Sequence, residues 1–139
     1  MSYDVPSGSI TQAKRAPLGE QISASCGTFT TTSSPLVDVT NLHVTITTTG
    51  RMVMLALVPD GTASQAYIQG DNATVVAFVR GSTAVAVYQN LGAASNEAFP
   101  GMVGFDVPAA GTYTYKVQMG GSATDTKTMK LCKLVAFEL

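Results

Sequence analysis

The chain contains one histidine, His43, among its 139 residues. A single histidine cannot form a multi-histidine metal site within one chain, and no set of partners for a histidine-based triad accompanies it. We therefore predict that His43 lies on a strand surface. The alternative is a metal-binding or pH-sensitive site that forms where a threefold axis brings three copies together.

The acidic residues that could serve as catalytic acids or metal ligands are scattered along the chain. No pair has a spacing that predicts coupled acid–base work, which a small enzyme such as a glycan depolymerase would need. Asp60 and Asp71 could bind calcium only if their two loops converged. We expect solvated loops, with no catalytic site, no metal and no cofactor. The residues considered are Asp60, Asp71, Glu97, Asp106 and Asp125.

Cys26 and Cys132 are the two cysteines of the chain. Their spacing does not match the paired spacing of zinc or redox motifs. One interpretation is a pair of buried free thiols. The other is a bridge that joins the first strand to the last, which requires neighbouring strands and an oxidising compartment.

The composition predicts one folded domain. Hydrophobic residues make up 45% of the chain and charged residues 12%, so enough apolar surface exists to offset the ordering entropy. A net charge of -1 and the lack of a basic stripe argue against nucleic-acid binding. No segment approaches the roughly 20 apolar residues of a membrane span, so we expect no membrane association. The small net charge also permits copies of the chain to approach one another.

Two regions differ in character. Residues 1–20 are polar and form an expected N-terminal arm, in which Ser9 could cap one or two helical turns that end before Pro17. Residues 21–139 form the expected β domain. There, runs rich in Val, Thr, Tyr and Phe alternate with turn residues, which is typical of a sandwich or barrel. We predict strands near 22–30, 36–39, 42–49, 51–58, 65–69, 74–80, 83–89, 101–107, 111–119 and 127–139.

Several of these segments show which face is buried. Leu42, Val44 and Ile46 alternate with polar residues, so one face of that strand should meet the core. The run 52–58 is apolar on both faces, and its second face needs cover from another subunit or from the arm. The apolar final run 134–139 should lie inside a sheet.

Three sequence runs resemble the trimeric TNF-like jelly rolls. They are GRMVML at 50–55, FDVPAAGTYTY at 105–115 and LVAFEL at 134–139. In that superfamily a Gly-x-Tyr-x-Tyr/Phe strand lines the interior or the threefold axis, and the chain closes with an apolar strand ending in Leu. The resemblance implies an antiparallel jelly-roll sandwich and a homotrimer. For the trimer we expect Tyr113, Tyr115 and Phe137 to pack in the core or on the threefold axis, because aromatic side chains bury the most area per residue.

The chain also resembles C-terminal domains of bacteriophage fibre and virion-surface proteins. The runs that carry this resemblance are GSITQAK at 8–14, SCGTF at 25–29 and FVRGST at 78–83. Fibre proteins carry a long shaft before such a head, whereas barely twenty residues precede the first strand here. The resemblance therefore implies a trimeric decoration or cement protein on the virion surface, bound to the major capsid protein. Its expected anchor comprises Ile10, Lys14, Arg15 and Leu18.

A second function fits the same resemblance. The chain could be the tip domain of a tail fibre or head fibre, with tail or fibre proteins as its partners. In that case it would bind host-surface carbohydrate or protein through polar loops near 60–73, 90–100 and 120–127.

Overall fold

The computed structural model describes residues 19–62, 64–70, 73–89, 95–97 and 101–139. Within these ranges the chain forms strands and no helix, which confirms the predicted all-β class. The described residues accordingly contain no helix that is long and apolar enough to cross a membrane. The anchor residues Ile10, Lys14, Arg15 and Leu18 lie outside the described ranges. The strands are β1 (Glu20–Ile22), β2 (Thr28–Thr31), β3 (Val37–Thr48), β4 (Val53–Pro59), β5 (Tyr67–Gly70), β6 (Val75–Arg80), β7 (Thr83–Gln89), β8 (Ser95–Glu97), β9 (Val103–Asp106), β10 (Gly111–Gly120), β11 (Lys127–Lys130) and β12 (Cys132–Glu138).

The described strands pair into three antiparallel sheets of four strands each. The first sheet has the order β1-β12-β4-β9, the second sheet β3-β10-β6-β7 and the third sheet β2-β11-β5-β8. In the first sheet β12 lies between β1 and β4, and Val135 is opposite both Ile22 and Ala56. This position confirms that the apolar final run lies inside a sheet.

The core lies between the first and second sheets and extends to the third. Val44 and Ile46 of β3 are buried, whereas His43 and Thr45 are exposed, as the alternation predicted. Each large apolar side chain moved from water into such a core contributes about 1.5–3 kcal/mol. The first sheet contributes Val53, Leu55, Leu57, Leu134 and Ala136; the second contributes Leu42, Val76, Phe78, Tyr115, Val117 and Met119; the third contributes Ile68 and Met129.

Three strand boundaries differ from the sequence prediction. The runs 36–39 and 42–49 form one strand, β3, because Asn41 takes a left-handed conformation with φ of 65° beside a register shift and the pairing with β10 continues. The run 127–139 is divided at Leu131, whose φ is 55°, so that β11 joins the third sheet and β12 the first. The run 22–30 is likewise divided between β1 and β2.

The run 78–85 predicts a tight hairpin, because Gly81-Ser82 can supply the positive φ of a primed turn, and the structure confirms it. Arg80 pairs with Thr83 across a two-residue turn, and Gly81 has a φ of 59°. Positive φ is what the primed turns of such hairpins require, and glycine reaches it without steric cost.

Glu138, the last residue of β12, joins three parts of the chain through hydrogen bonds. The Glu138 carboxylate accepts hydrogen bonds from the Thr48 hydroxyl at 2.6 Å, the Thr49 amide at 2.6 Å and hydroxyl at 2.7 Å, and the Arg51 amide at 3.2 Å. Its other oxygen accepts from the Gly19 amide at 3.4 Å. These donors, the Thr48 hydroxyl first among them, lower the pKa of Glu138 to about 2.

Replacing Glu138 by Gln should destabilise the fold at neutral pH, because an amide lacks the charge that these donors stabilise. A carboxylate with a lowered folded-state pKa contributes stability above its unfolded pKa, and that contribution is lost as the pH falls. The free energy of unfolding of the wild type should therefore decrease between pH 4.5 and about 2, and Glu138→Gln should decrease less.

Urea denaturation at a series of pH values measures this difference. The control is Glu20→Gln, since Glu20 is exposed on β1, and it should follow the wild-type curve. Parallel wild-type and Glu138→Gln curves would contradict the prediction.

Candidate functional site

The first sheet has an apolar outer face. Side chains alternate along each strand. The strand neighbours of the core residues Leu55 and Leu134 therefore point away from the core. The register aligns them in rows across four strands: Phe137 is opposite Met54, which is opposite Phe105. We call this surface the apolar face; it comprises Ile22, Met54, Ala56, Val103, Phe105, Val135 and Phe137.

Several members of the apolar face are open to solvent. Ile22 is 61% exposed and Phe105 52%, and Val103 is 38% exposed. Met54 and Val135 are half-buried. Leaving apolar area in water costs about 25 cal/mol per Å², and large contiguous apolar patches are common at interaction sites. The prediction that the run 52–58 is apolar on both faces is confirmed.

The second sheet has a different outer surface along β3 and β10. Thr45 and Thr114 hydrogen-bond across the strands at 2.8 Å, and Thr47 and Thr112 do so at 2.9 Å. Further along, Lys116 pairs with the Asp38 carboxylate at 2.8 Å. This ladder of hydroxyl and charged groups is suited to water, so the outer surface along β3 and β10 differs chemically from the apolar face.

The structure separates the three residues predicted for trimer packing. Phe137 lies on the apolar face and is half-buried. Tyr113 packs against the core, with the Arg80 guanidinium 5.1 Å from its ring centre. Tyr115 is fully buried inside the protomer and has no exposed side-chain surface to offer a second copy.

The most exposed residues of the apolar face are not evident from the sequence. The sequence pattern places Ile22, Val103 and Phe105 on predicted strands but does not show which face they occupy. The alternation of Val103, Phe105 and Val107 with smaller or polar residues was a usable signal. This alternation predicts an apolar outer face on β9. It does not predict which strands lie beside β9.

Asp106 links the two sheets of the sandwich. Its carboxylate accepts a hydrogen bond from the Tyr115 hydroxyl at 2.9 Å and pairs with the Arg80 guanidinium at 3.1 Å. It also accepts from the Val107 amide at 3.0 Å. Burial, and then the hydrogen bond to the Asp106 carboxylate, raise the pKa of the Tyr115 hydroxyl. With its oxygens occupied in this way, Asp106 holds β9 of the first sheet against β6 and β10 of the second.

The other sequence candidates are separated in the structure. His43 is exposed on β3, which confirms its predicted place on a strand surface. Asp60 accepts from the Ser25 hydroxyl at 2.7 Å, and this bond lowers the pKa of Asp60. Asp71 lies outside the described residues. In the part of the chain that the structure describes, no three His, Cys, Asp or Glu residues come together as a metal site.

The third sheet brings together the three polar stretches that sequence analysis assigned to ligand binding. β5 comes from the first stretch and β8 from the second, and these two strands pair with each other. β5 also pairs with β11, which follows the third stretch. One surface of this sheet carries Tyr67 and Gln69, with the Lys130 ammonium 5.6 Å from the centre of the Tyr67 ring.

A buried lysine shapes the loop beside this sheet. Lys127 of β11 is fully buried, and its ammonium donates to the backbone carbonyls of Ser122 and of Asp125, the latter at 2.9 Å. These bonds place the charge of Lys127 against carbonyl dipoles and hold the loop that precedes β11. Lys127 is therefore a structural residue of this loop.

Comparison with known proteins adds no family assignment. Neither a scan against protein-family models nor a search of curated proteins found a match to this chain.

Replacing Tyr115 by Phe should lower the free energy of unfolding by about 1 kcal/mol, the usual net value of a hydrogen bond lost from a partly buried acceptor. The change should leave the oligomeric state unchanged, because this side chain lies inside the protomer. Chemical denaturation and sedimentation velocity measure the two effects. The matched control is Tyr113→Phe, which keeps the ring beside Arg80 and should cost less; an equal loss in both variants would contradict the role of the Asp106 bond.

Proposed function

We propose that this chain is a structural protein of a bacteriophage virion, a homotrimeric jelly roll that decorates the capsid surface. The observation that carries the proposal is the apolar face of the first sheet. Among the described residues of a single copy, Ile22, Val103 and Phe105 of this face stay exposed to water, and such a face is stabilised when another surface covers it. Copies of the same chain are the proposed cover.

The strand pairing supports the jelly-roll part of the proposal. When the strands of the first and second sheets are numbered along the chain, the first pairs with the last, β1 with β12, and the second with the second-last, β3 with β10. The next pairs inward are β4 with β9 and β6 with β7. A long antiparallel hairpin that wraps around itself produces this nesting, and eight strands wrapped into two sheets form a jelly roll.

A second copy suits the apolar face better than the arm does. The face spans four strands, so a second copy could cover several of its apolar side chains at once. The arm, residues 1–20, is polar by comparison and offers few large apolar side chains. The net charge of -1 adds little repulsion between copies. The number three comes from the resemblance to TNF-like trimers.

Replacing Phe105 by Lys should weaken self-association about a hundredfold or more, because a charge placed in a central apolar contact costs at least 2–4 kcal/mol. Sedimentation velocity at micromolar concentration in a reducing buffer should show the wild type at three times the 14.4 kDa chain mass and the variant as a monomer.

The matched control is Val87→Lys. Val87 is 57% exposed on β7 of the second sheet, away from the apolar face, and its replacement should leave the trimer intact. A monomeric wild type, or equal dissociation of both variants, would overturn the proposed assembly.

Attachment to the capsid is proposed to use the arm. Ile10 and Leu18 would supply apolar contacts, and Lys14 and Arg15 would pair with acidic groups on the capsid. The double substitution Lys14→Glu and Arg15→Glu should abolish binding to particles that lack this chain, while the trimer remains. Co-sedimentation with such particles measures binding, and undiminished binding of the variant would contradict the proposed anchor.

The third sheet favours one alternative, a fibre tip that binds host-surface carbohydrate or protein. Its surface carries Tyr67 and Gln69 on β5, which pairs with β8 and β11, and these side chains are suited to hydrogen bonding and ring stacking. Whole-cell adsorption separates the two functions. A decoration protein binds particles and ignores cells, whereas a fibre tip adsorbs to host cells.

A further inference from the structure

Cys26 and Cys132 lie side by side where the connection from β1 to β2 passes the start of β12. The Cys26 amide donates to the Cys132 carbonyl at 3.0 Å, and the Ser23 amide donates to the Leu134 carbonyl at 2.8 Å. This connection therefore runs antiparallel to β12, as an added strand would. The neighbouring strands that a bridge requires are present.

The backbone and one sulfur atom bring the two cysteines into contact. The Cys132 amide donates to Cys26 Sγ at 3.4 Å, beside the bond from the Cys26 amide to the Cys132 carbonyl. A disulfide needs Cα atoms roughly 4.4–6.8 Å apart, and these contacts place the two residues side by side. Both thiols are free and buried, and Cys26 retains 6% exposure whereas Cys132 has none.

The environment makes the two thiols unequal. Contact with the Cys132 side chain, and then with the Cys132 amide, lowers the pKa of Cys26 despite its burial. Contact with Cys26, and then burial, raises the pKa of Cys132. Because the thiolate is the reactive form and Cys26 also keeps the greater exposure, Cys26 is the candidate nucleophile of the pair. Cys132 is placed to react second.

We propose that Cys26 and Cys132 form a peroxide-reactive pair whose oxidation closes a disulfide between the β1–β2 connection and β12. The Cys26 thiolate attacks one oxygen of hydrogen peroxide, the O–O bond breaks, and the hydroxide released takes up a proton to become water. Cys26 is then a sulfenic acid. The Cys132 sulfur attacks the Cys26 sulfur, the S–O bond breaks, and the departing hydroxide leaves as water with the Cys132 proton. Two thiols and one peroxide thus yield one disulfide and two waters.

The disulfide would act on the fold as a long-range lock. It would join residues 106 positions apart, which encloses most of the β domain in one covalent loop. Closing so long a loop removes conformational freedom from the unfolded chain. The lock also lies next to β1, the edge strand that contributes Ile22 to the apolar face. This inference holds for a single chain and does not depend on the proposed trimer.

Peptide mapping of the full chain tests the proposal directly. The reduced protein is treated with hydrogen peroxide, remaining thiols are alkylated in denaturant, and the digest is analysed without reduction. A Cys26–Cys132 cross-linked peptide is expected, with a rise in Tm of the order of 10 °C that a reductant reverses. Two alkylated cysteines after treatment, or only disulfides between chains, would overturn the proposal.

Serine variants assign the two roles. Cys132→Ser should stop at a sulfenic acid on Cys26, and Cys26→Ser should leave Cys132 unreacted; the reverse pattern would overturn the assignment. The double variant keeps all six methionines, so it shows how much any Tm change owes to methionine oxidation. A Tm rise in the double variant equal to that of the wild type would contradict the lock. The peptide map of the wild type tests for the disulfide even if a serine variant does not fold.

Discussion

The structure depends on a first sheet that is apolar on both faces. β4 and β12 direct Leu55, Leu57 and Leu134 into the core and direct Met54 and Val135 outward. The core side is covered by the second sheet of the same chain. The outer side has no equivalent cover among the described residues, so the hydrophobic effect that closes the sandwich also drives the proposed association between copies.

Polar contacts join the elements at the margins of this apolar interior. Asp106 links β9 to β6 and β10, and Glu138 links the end of β12 to the turn between β3 and β4. Both carboxylates are held by several donors, which is how a protein keeps charge next to a core without a large desolvation cost. These contacts fix the alignment of strands whose apolar packing has little directional preference.

The surfaces of the sandwich suggest a division of roles. The hydroxyl and charged ladder along β3 and β10 suits solvent, the apolar face suits a second copy, and the third sheet gathers polar stretches from distant parts of the chain. The proposed decoration role would use the first two surfaces. The cysteine pair adds a proposed response to oxidants that acts on the same fold.

The sequence by itself determined the all-β class, the approximate position of most strands, the hairpin at Gly81-Ser82 and the inward face of β3. Each of these follows from alternation or turn residues within about ten positions, where backbone geometry is decided locally. The sequence did not show β8, because Ser95-Asn96-Glu97 has no strand preference and becomes a strand only by pairing with β5.

Only the tertiary structure decided which strands are neighbours, and the candidate sites follow from that. Pairing β1 with β12 brings Ile22 beside Val135 and Cys26 beside Cys132, across more than a hundred residues. Packing of the two sheets encloses Tyr115, which the sequence pattern could not distinguish from the partly exposed Tyr113. The physical reason is that strand pairing and sheet packing join distant segments, and a local pattern shows that a face is apolar without showing what will cover it.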